Sequence, residues 1–190
     1  VGRDGARQPL ALDRGNPFYT RIGRISRFAR AAFVAAEDQR FYRHRGFDGK
    51  QLRRAFLRNI AEQRFGRGAS TISQQVIKLV YGRPSGLWSK PSEILRALRL
   101  EQMFDKDEIL EQYVNRLPFG DQIVGVGRAS EEYFGKPASQ LSLAEAALLA
   151  GIPQAPSLTE PRRHLPRALA RRNFVLRRMY EEGRIDEAAY

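Results

Sequence analysis

The chain has 190 residues, no cysteine, and 33 Lys and Arg against 21 Asp and Glu, for a net charge of +12. That length fits one domain, able to bury about 70% of its unfolded surface. The missing cysteines exclude disulfides, thiolate catalysis and cysteine-ligated metal, and leave the redox compartment open. The charge calls for an anionic partner: nucleic acid, anionic lipid head groups or a phosphorylated substrate. No apolar run approaches the roughly 18 residues of a membrane span, and the first residues lack the order of a signal peptide. Residues 184–190 read as a helix just starting after Gly183, so the sequence reads as a fragment cut at both ends.

Residues 1–17, rich in Arg, Gly, Asp and Pro without periodicity, read as an extended lead-in. From Phe18 to Arg30, apolar Phe18, Ile22, Ile25 and Phe28 alternate with Arg21, Arg24, Arg27 and Arg30, a basic amphipathic segment suited to core packing or to anionic lipid. An alanine-rich helical pattern then runs into Glu37 and Asp38 and on to Gly46. On a continuous helix Phe33, Ala36, Glu37, Arg40, Phe41 and His44 share one face, which brackets the Glu37 carboxylate with rings. Apolar neighbours raise a carboxyl pKa, and that suits a general base near neutral pH. The plain alternative is a surface acid on an amphipathic helix.

After Gly46 a helix with Leu52, Phe56 and Ile60 on one face is expected. Gly66 to Gln75 reads as a glycine-bearing loop opening a helix. There Thr71, Gln75 and Lys78 form a polar stripe pointing away from the core, and Ile72, Val76 and Val80 form an apolar one. A helix start with free N–H groups and a nearby lysine suits phosphate or pyrophosphate, although the spacing is not that of a Walker loop. A Thr71–Gln74 capping box is the structural alternative. A further helix opens near Ser89, with Pro91 in its first turn and Glu93 set against its dipole. Asp105 with Glu108, and Ser142 with Glu145, form capping boxes at two more helix starts, and a last helix spans Pro166 to Glu182. Its Arg171, Arg172, Arg177 and Arg178 read as a solvated face. No strand-like alternation and no internal repeat appears.

Five strings in this order resemble those of the peptidoglycan glycosyltransferases, the glycan-polymerising domains of class A penicillin-binding proteins and of monofunctional transglycosylases. The first is E-D-x-x-F-x-x-H-x-G from Glu37, and the second is G-x-S-T-I-x-Q-Q from Gly68. The third is an aromatic, Arg-Lys and a Glu, here Trp88, Ser89-Lys90 and Glu93. K-D-E-I-L-E-x-Y-x-N ends at Asn115, and Val124–Lys136 and Leu141–Pro156 resemble the fourth and fifth strings. Ser89 stands where the family has arginine, so one phosphate-binding cation is either missing or supplied from elsewhere, with Arg83 and Arg96 as the candidates.

The resemblance implies a mainly α, lysozyme-like bilobed fold: one domain over residues 18–190, truncated at its C-terminal end, with a small membrane-facing lobe at about residues 47–68. It implies polymerisation of lipid II into β-1,4 glycan strands at the outer face of the cytoplasmic membrane, with inversion. Glu37 and Glu93 would be catalytic. Asp38, Phe41, His44, Ser70, Thr71, Gln75, Lys78, Lys90 and Asn115 would shape the site or bind substrate. Glu93 beside a pyrophosphate needs Lys90, Lys78 or a divalent cation between, with Mg²⁺ or Mn²⁺ held through Glu93 as the candidate ion and no organic cofactor. Expected partners are lipid II, the growing glycan strand, an anionic membrane surface and moenomycin-type inhibitors, with no specific nucleic acid. A lysozyme-like hydrolase or a basic nucleic-acid or lipid-binding domain are the rival classes. No Ser-x-x-Lys occurs, so a transpeptidase site is absent from this stretch.

Overall fold

The structure, a computed structural model, describes residues 16–49, 70–82 and 89–190. The expected lobe at about 47–68 and its helix at Leu52–Ile60 therefore lie outside the described residues save for 47–49, as do Arg83, Trp88 and residues 1–15. Among the described residues the elements are helical, and β pairing is confined to an isolated bridge between Pro118 and Val124. The mainly α expectation is met.

Helix α1, Arg27–Glu37, begins where the Ser26 hydroxyl accepts the Ala29 N–H at 3.1 Å. Its alanines leave it thin, so Ala29, Ala32, Ala35 and Ala36 bury completely or nearly so, with Phe33 and Val34 filling the space beside them. Phe33 meets Phe119 edge to face at 6.2 Å. Helices α2 (Ile72–Tyr81), α3 (Ser89–Met103) and α4 (Lys106–Val114) pack with α2 between the other two. Helix α5 (Val126–Phe134) leads to α6 (Leu143–Gly151), and after the short α7 (Pro156–Thr159) comes the long α8 (Pro161–Glu181). Apolar α6 is held between α1 and α8, and α8 also reaches α1. The capping boxes at Asp105–Glu108 and Ser142–Glu145 both form.

Three local expectations are corrected. The helical pattern does not continue to Gly46: α1 stops at Glu37, and Asp38 takes φ −149° and ψ 78°. The cause is the Asp38 side chain, which accepts the Ile72 N–H at 3.1 Å and bonds His44 Nε2 at 2.9 Å, contacts a helical register cannot make. Phe41 and His44 are therefore not on the face of Glu37, and Phe41–Arg43 forms a separate 3-10 turn. Gly46, at φ +72°, presses the chain against α3, where a Cβ would lie 2.8 Å from the Ala97 carbonyl.

The segment Phe18–Arg30 is not one amphipathic helix but a strap with a 3-10 turn at Ile22–Arg24, followed by α1. Glu111 fixes the strap by accepting the Tyr19 hydroxyl at 2.6 Å and the Ile22 N–H at 2.7 Å. Gly127 allows it close: any side chain there would collide with the Phe18 carbonyl and the Thr20 hydroxyl. The last helix starts at Pro161 rather than Pro166, because the Glu160 carboxylate caps the N–H groups of Arg162 and Arg163 at 3.1 and 2.9 Å. Pro166 is accommodated by a break at His164, which leaves helical dihedrals.

Candidate active site

Glu37 is the last residue of α1, at the point where α1, α2 and α8 converge. Gln75 of α2 donates its Nε2 to Glu37 Oε2 at 2.9 Å, while its own Oε1 accepts from the buried Tyr113 hydroxyl at 3.3 Å. Tyr113 thereby fixes which end of the amide faces the carboxylate. Arg171 and Arg178 of α8 reach the same point: Arg178 Nη1 donates to the Ala36 carbonyl at 3.0 Å, one residue before Glu37. Burial raises the Glu37 pKa, and this outweighs the Gln75 hydrogen bond and the Arg171 and Arg178 charges, which lower it; Asp38 adds to the rise. The expected direction is found and burial sets it, while an amide and two guanidiniums beside the carboxylate pull the other way.

One turn further along α2, Lys78 Nζ lies 3.2 Å from Glu93 Oε1, and Lys90 Nζ approaches the same oxygen at 2.9 Å. Both ammoniums also donate to the Ser70 hydroxyl, at 3.0 and 3.2 Å, and Lys90 bonds Gln74 Oε1 at 3.1 Å. Glu93 is only 4% exposed, whereas Lys90 is 41% exposed at its side chain. Two cations thus share one buried carboxylate, leaving a net positive point at the surface. Gln75, which holds the carboxylate, and Lys78, which joins the cationic point, are three residues apart on α2, about 4.5 Å of helical rise.

The remaining predicted site residues fall into two groups. Asp38, Phe41, His44 and Thr71 are buried side chains bonded or packed to one another: the Thr71 hydroxyl donates to the Gly46 carbonyl at 2.8 Å and accepts the Gln74 N–H at 3.3 Å. Phe41 stands edge-on to His44 and carries Lys106 Nζ over its face at 4.4 Å. Thr71 therefore does not belong to a stripe aimed away from the core. These four brace the start of α2 against the end of α1. There is no Thr71–Gln74 capping box, because the Gln74 side chain is drawn to Lys90.

Asn115 ties α4 to the strap. Its Nδ2 donates to the carbonyls of Thr20 and Glu111, both at 2.8 Å, and its Oδ1 accepts the Thr20 N–H at 2.8 Å. Three of the amide's four hydrogen-bonding positions clamp the strap. Arg96, the stand-in for the missing arginine, lies over the Tyr81 ring at 5.4 Å and joins no ion pair among the described residues.

Sequence reasoning missed Gln74, Tyr113, Arg171 and Arg178. The two arginines were legible as a pair, since Arg171, Phe174 and Arg178 recur on one helical face, and both guanidiniums do lie over Phe174 at 4.6 and 5.6 Å. Their meeting with α1, some 140 residues earlier, was not. As for the divalent ion, no group of three or more His, Cys, Asp or Glu side chains gathers among the described residues. Glu93 Oε1 is already shared by two ammoniums, so the donor set among the described residues does not fit such an ion.

The described residues form a mainly helical domain in which one face of α2 carries an amide-held carboxylate and a doubly cationic point. A family model described as Transglycosylase matches residues 8–180. Penicillin-binding protein 1A of Aquifex aeolicus is 44% identical over 91% of the chain and 24% of its own length. A Cupriavidus necator protein carrying a provisional transglycosylase name is 42% identical over 95% of the chain and 78% of its own length. The crystal structure of penicillin-binding protein 1A from Haemophilus influenzae superposes with a TM-score of 0.54 at 26% identity, over 90% of this chain and 16% of that one. The chain belongs to the Transglycosylase family of peptidoglycan glycosyltransferase domains. It spans a quarter or less of the penicillin-binding protein 1A relatives it matches.

Proposed function

We propose that this domain polymerises lipid II, using Glu37 as the general base and the Lys78–Lys90 pair to hold the pyrophosphate leaving group. The observation that carries the reading is the α2 face on which Gln75 grips the base and Lys78 the cationic point, side by side. In the step, Glu37 takes the proton of the acceptor 4-hydroxyl, and the oxygen attacks the donor anomeric carbon. The bond from that carbon to the pyrophosphate oxygen breaks, and the electron pair leaves with the undecaprenyl pyrophosphate. One displacement turns the α-linked donor into a β-1,4 glycan.

Glu93 serves by positioning. Bare, it would repel the pyrophosphate; with two lysines on it, it fixes both ammoniums where the leaving charge develops. No step runs through a divalent cation. A hydrolase would share the carboxylate, but it has no use for a paired-lysine point beside it.

The reading places the domain in the cell envelope, acting at the outer face of the cytoplasmic membrane on lipid II and the growing strand. Moenomycin-type inhibitors, as lipid-linked phosphoglycans, would compete at the cationic point. Exposed Leu79, Tyr81, Leu95 and Leu98 on α2 and α3 support membrane contact. Among the described residues no helix is long and apolar enough to cross a membrane. The test is polymerisation of purified lipid II read as product length, with flotation on anionic liposomes at low salt as the test of membrane contact. Failure of the wild-type chain to give polymer while it binds lipid II would refute the reading.

A further inference from the structure

At the start of α8, away from Glu37, the loop Gly120–Gln122 and the helix α7 enclose an open cleft of about 240 Å³. Its walls carry Asp121, Ser157, Glu160, Arg163 and His164, and no Phe, Tyr or Trp is among the lining residues. Arg163 and Asp121 form an ion pair across it at 2.8 Å, with the Arg163 side chain 68% and the Asp121 side chain 34% exposed. Such a pair retains capacity for a ligand on both partners.

Two features show that the arrangement is held. Asp121 and Gln122 both adopt left-handed backbone, φ +41° and +62°, which non-glycine residues rarely do, and they do so within a turn closed by Ile123 N–H to Gly120 O at 2.7 Å. The N–H groups of Arg162 and Arg163 are already taken by Glu160, so the cleft is not a bare helix end awaiting an anion. What faces the cleft is the Arg163 guanidinium and the Asp121 carboxylate, paired with each other and both partly exposed, with the Ser157 hydroxyl and the His164 ring. That set complements a group bearing both charges.

The size of the cleft admits one residue's head group rather than a whole ligand, since pockets that engulf drug-sized molecules start at about 300 Å³. Its place relates it to the reaction. The cleft lies at the N-terminal end of α8, on the near side of the break at His164, and the same helix carries Arg171 to Glu37.

We propose that this cleft is a subsite for a zwitterionic peptide branch carried by the glycan substrate, with Arg163 taking its carboxylate and Asp121 its ammonium. The proposal deepens the lipid II reading and rests on it for the source of the peptide. A soluble pentapeptide with one lysine side-chain amine and a free C-terminal carboxylate is the probe, titrated into the chain and followed by NMR. Binding confined to the cleft, weakened about tenfold or more by Arg163→Gln and by Asp121→Asn and lost when the peptide's amine is acetylated and its carboxylate amidated, supports it. No binding at millimolar peptide, or binding indifferent to both substitutions, overturns it.

Polymerisation then separates the two readings. If wild-type chain polymerises lipid II, Arg163→Gln should raise KM for that substrate while leaving the rate on a peptide-free lipid-linked disaccharide unchanged. An equal loss on both substrates overturns the subsite. If no polymer forms with either substrate, the function reading fails, and the titration still decides the cleft.

Discussion

Gln75 Nε2 stands 2.9 Å from Glu37 Oε2, and this single hydrogen bond joins the base at the end of α1 to the helix that carries the leaving-group cation. Because Tyr113 donates to the other end of the same amide, Gln75 can only donate toward Glu37. The bond favours the ionised form, which a base must have, while burial disfavours it.

The acid limb of the kcat/KM profile should therefore lie above the ordinary glutamate value. Arg171 lowers the Glu37 pKa, so Arg171→Gln removes a lowering charge and should move that limb to higher pH. Gln75→Ala should move it the same way. A limb unmoved in both variants would mean that another group titrates.

Glu37→Gln should separate stability from function. A folded-state pKa raised above the unfolded one means that the folded chain binds the proton more readily, so stability falls as pH rises from the unfolded value through the folded one. The amide carries no such penalty. The variant should melt higher than wild type at neutral pH, and the gain should vanish in acid, below about pH 4, where Glu37 is protonated in both states. Thermal melts across pH measure it; a variant less stable at pH 7 contradicts the sign.

Asn115→Ala should cost stability, by about 1–3 kcal/mol for stranded backbone partners at Thr20, while leaving KM for lipid II unchanged. Denaturant unfolding and steady-state kinetics on the same sample check this. A KM change without a stability change would return Asn115 to the substrate-binding role that its sequence string implies.

Much of this was legible in the residues. The helical class and the capped starts at Asp105 and Ser142 followed from periodicity and capping chemistry, and the direction of the Glu37 shift was legible although Phe41 does not flank it. The Lys78–Lys90–Glu93 grouping followed from charge balance, since a lone carboxylate cannot sit at an anion site. What failed were the places where a side chain outbids local propensity. Asp38 ends α1 by binding the start of α2, which is 34 residues away. Arg171 and Arg178 read as solvent-facing because a helix's own pattern does not reveal which neighbour its charged face meets.

Ser89 invites a gain of function. It opens α3 one residue before Lys90, where the family string has arginine, and Arg96 is engaged with Tyr81 instead. Ser89→Arg should tighten lipid II binding by about tenfold, equivalent to roughly 1.4 kcal/mol, with the gain shrinking as salt rises. Equilibrium binding at two ionic strengths reads it. No gain at low salt would show that Lys78 and Lys90 suffice.

The most direct test of the account is lipid II polymerisation by wild-type chain and by Glu37→Gln under the same conditions, with lipid II binding measured alongside. The account predicts polymer from the wild type and a loss of about 10²- to 10⁴-fold in the variant, with binding retained. Polymer formed by Glu37→Gln at a comparable rate would contradict it and place the base elsewhere.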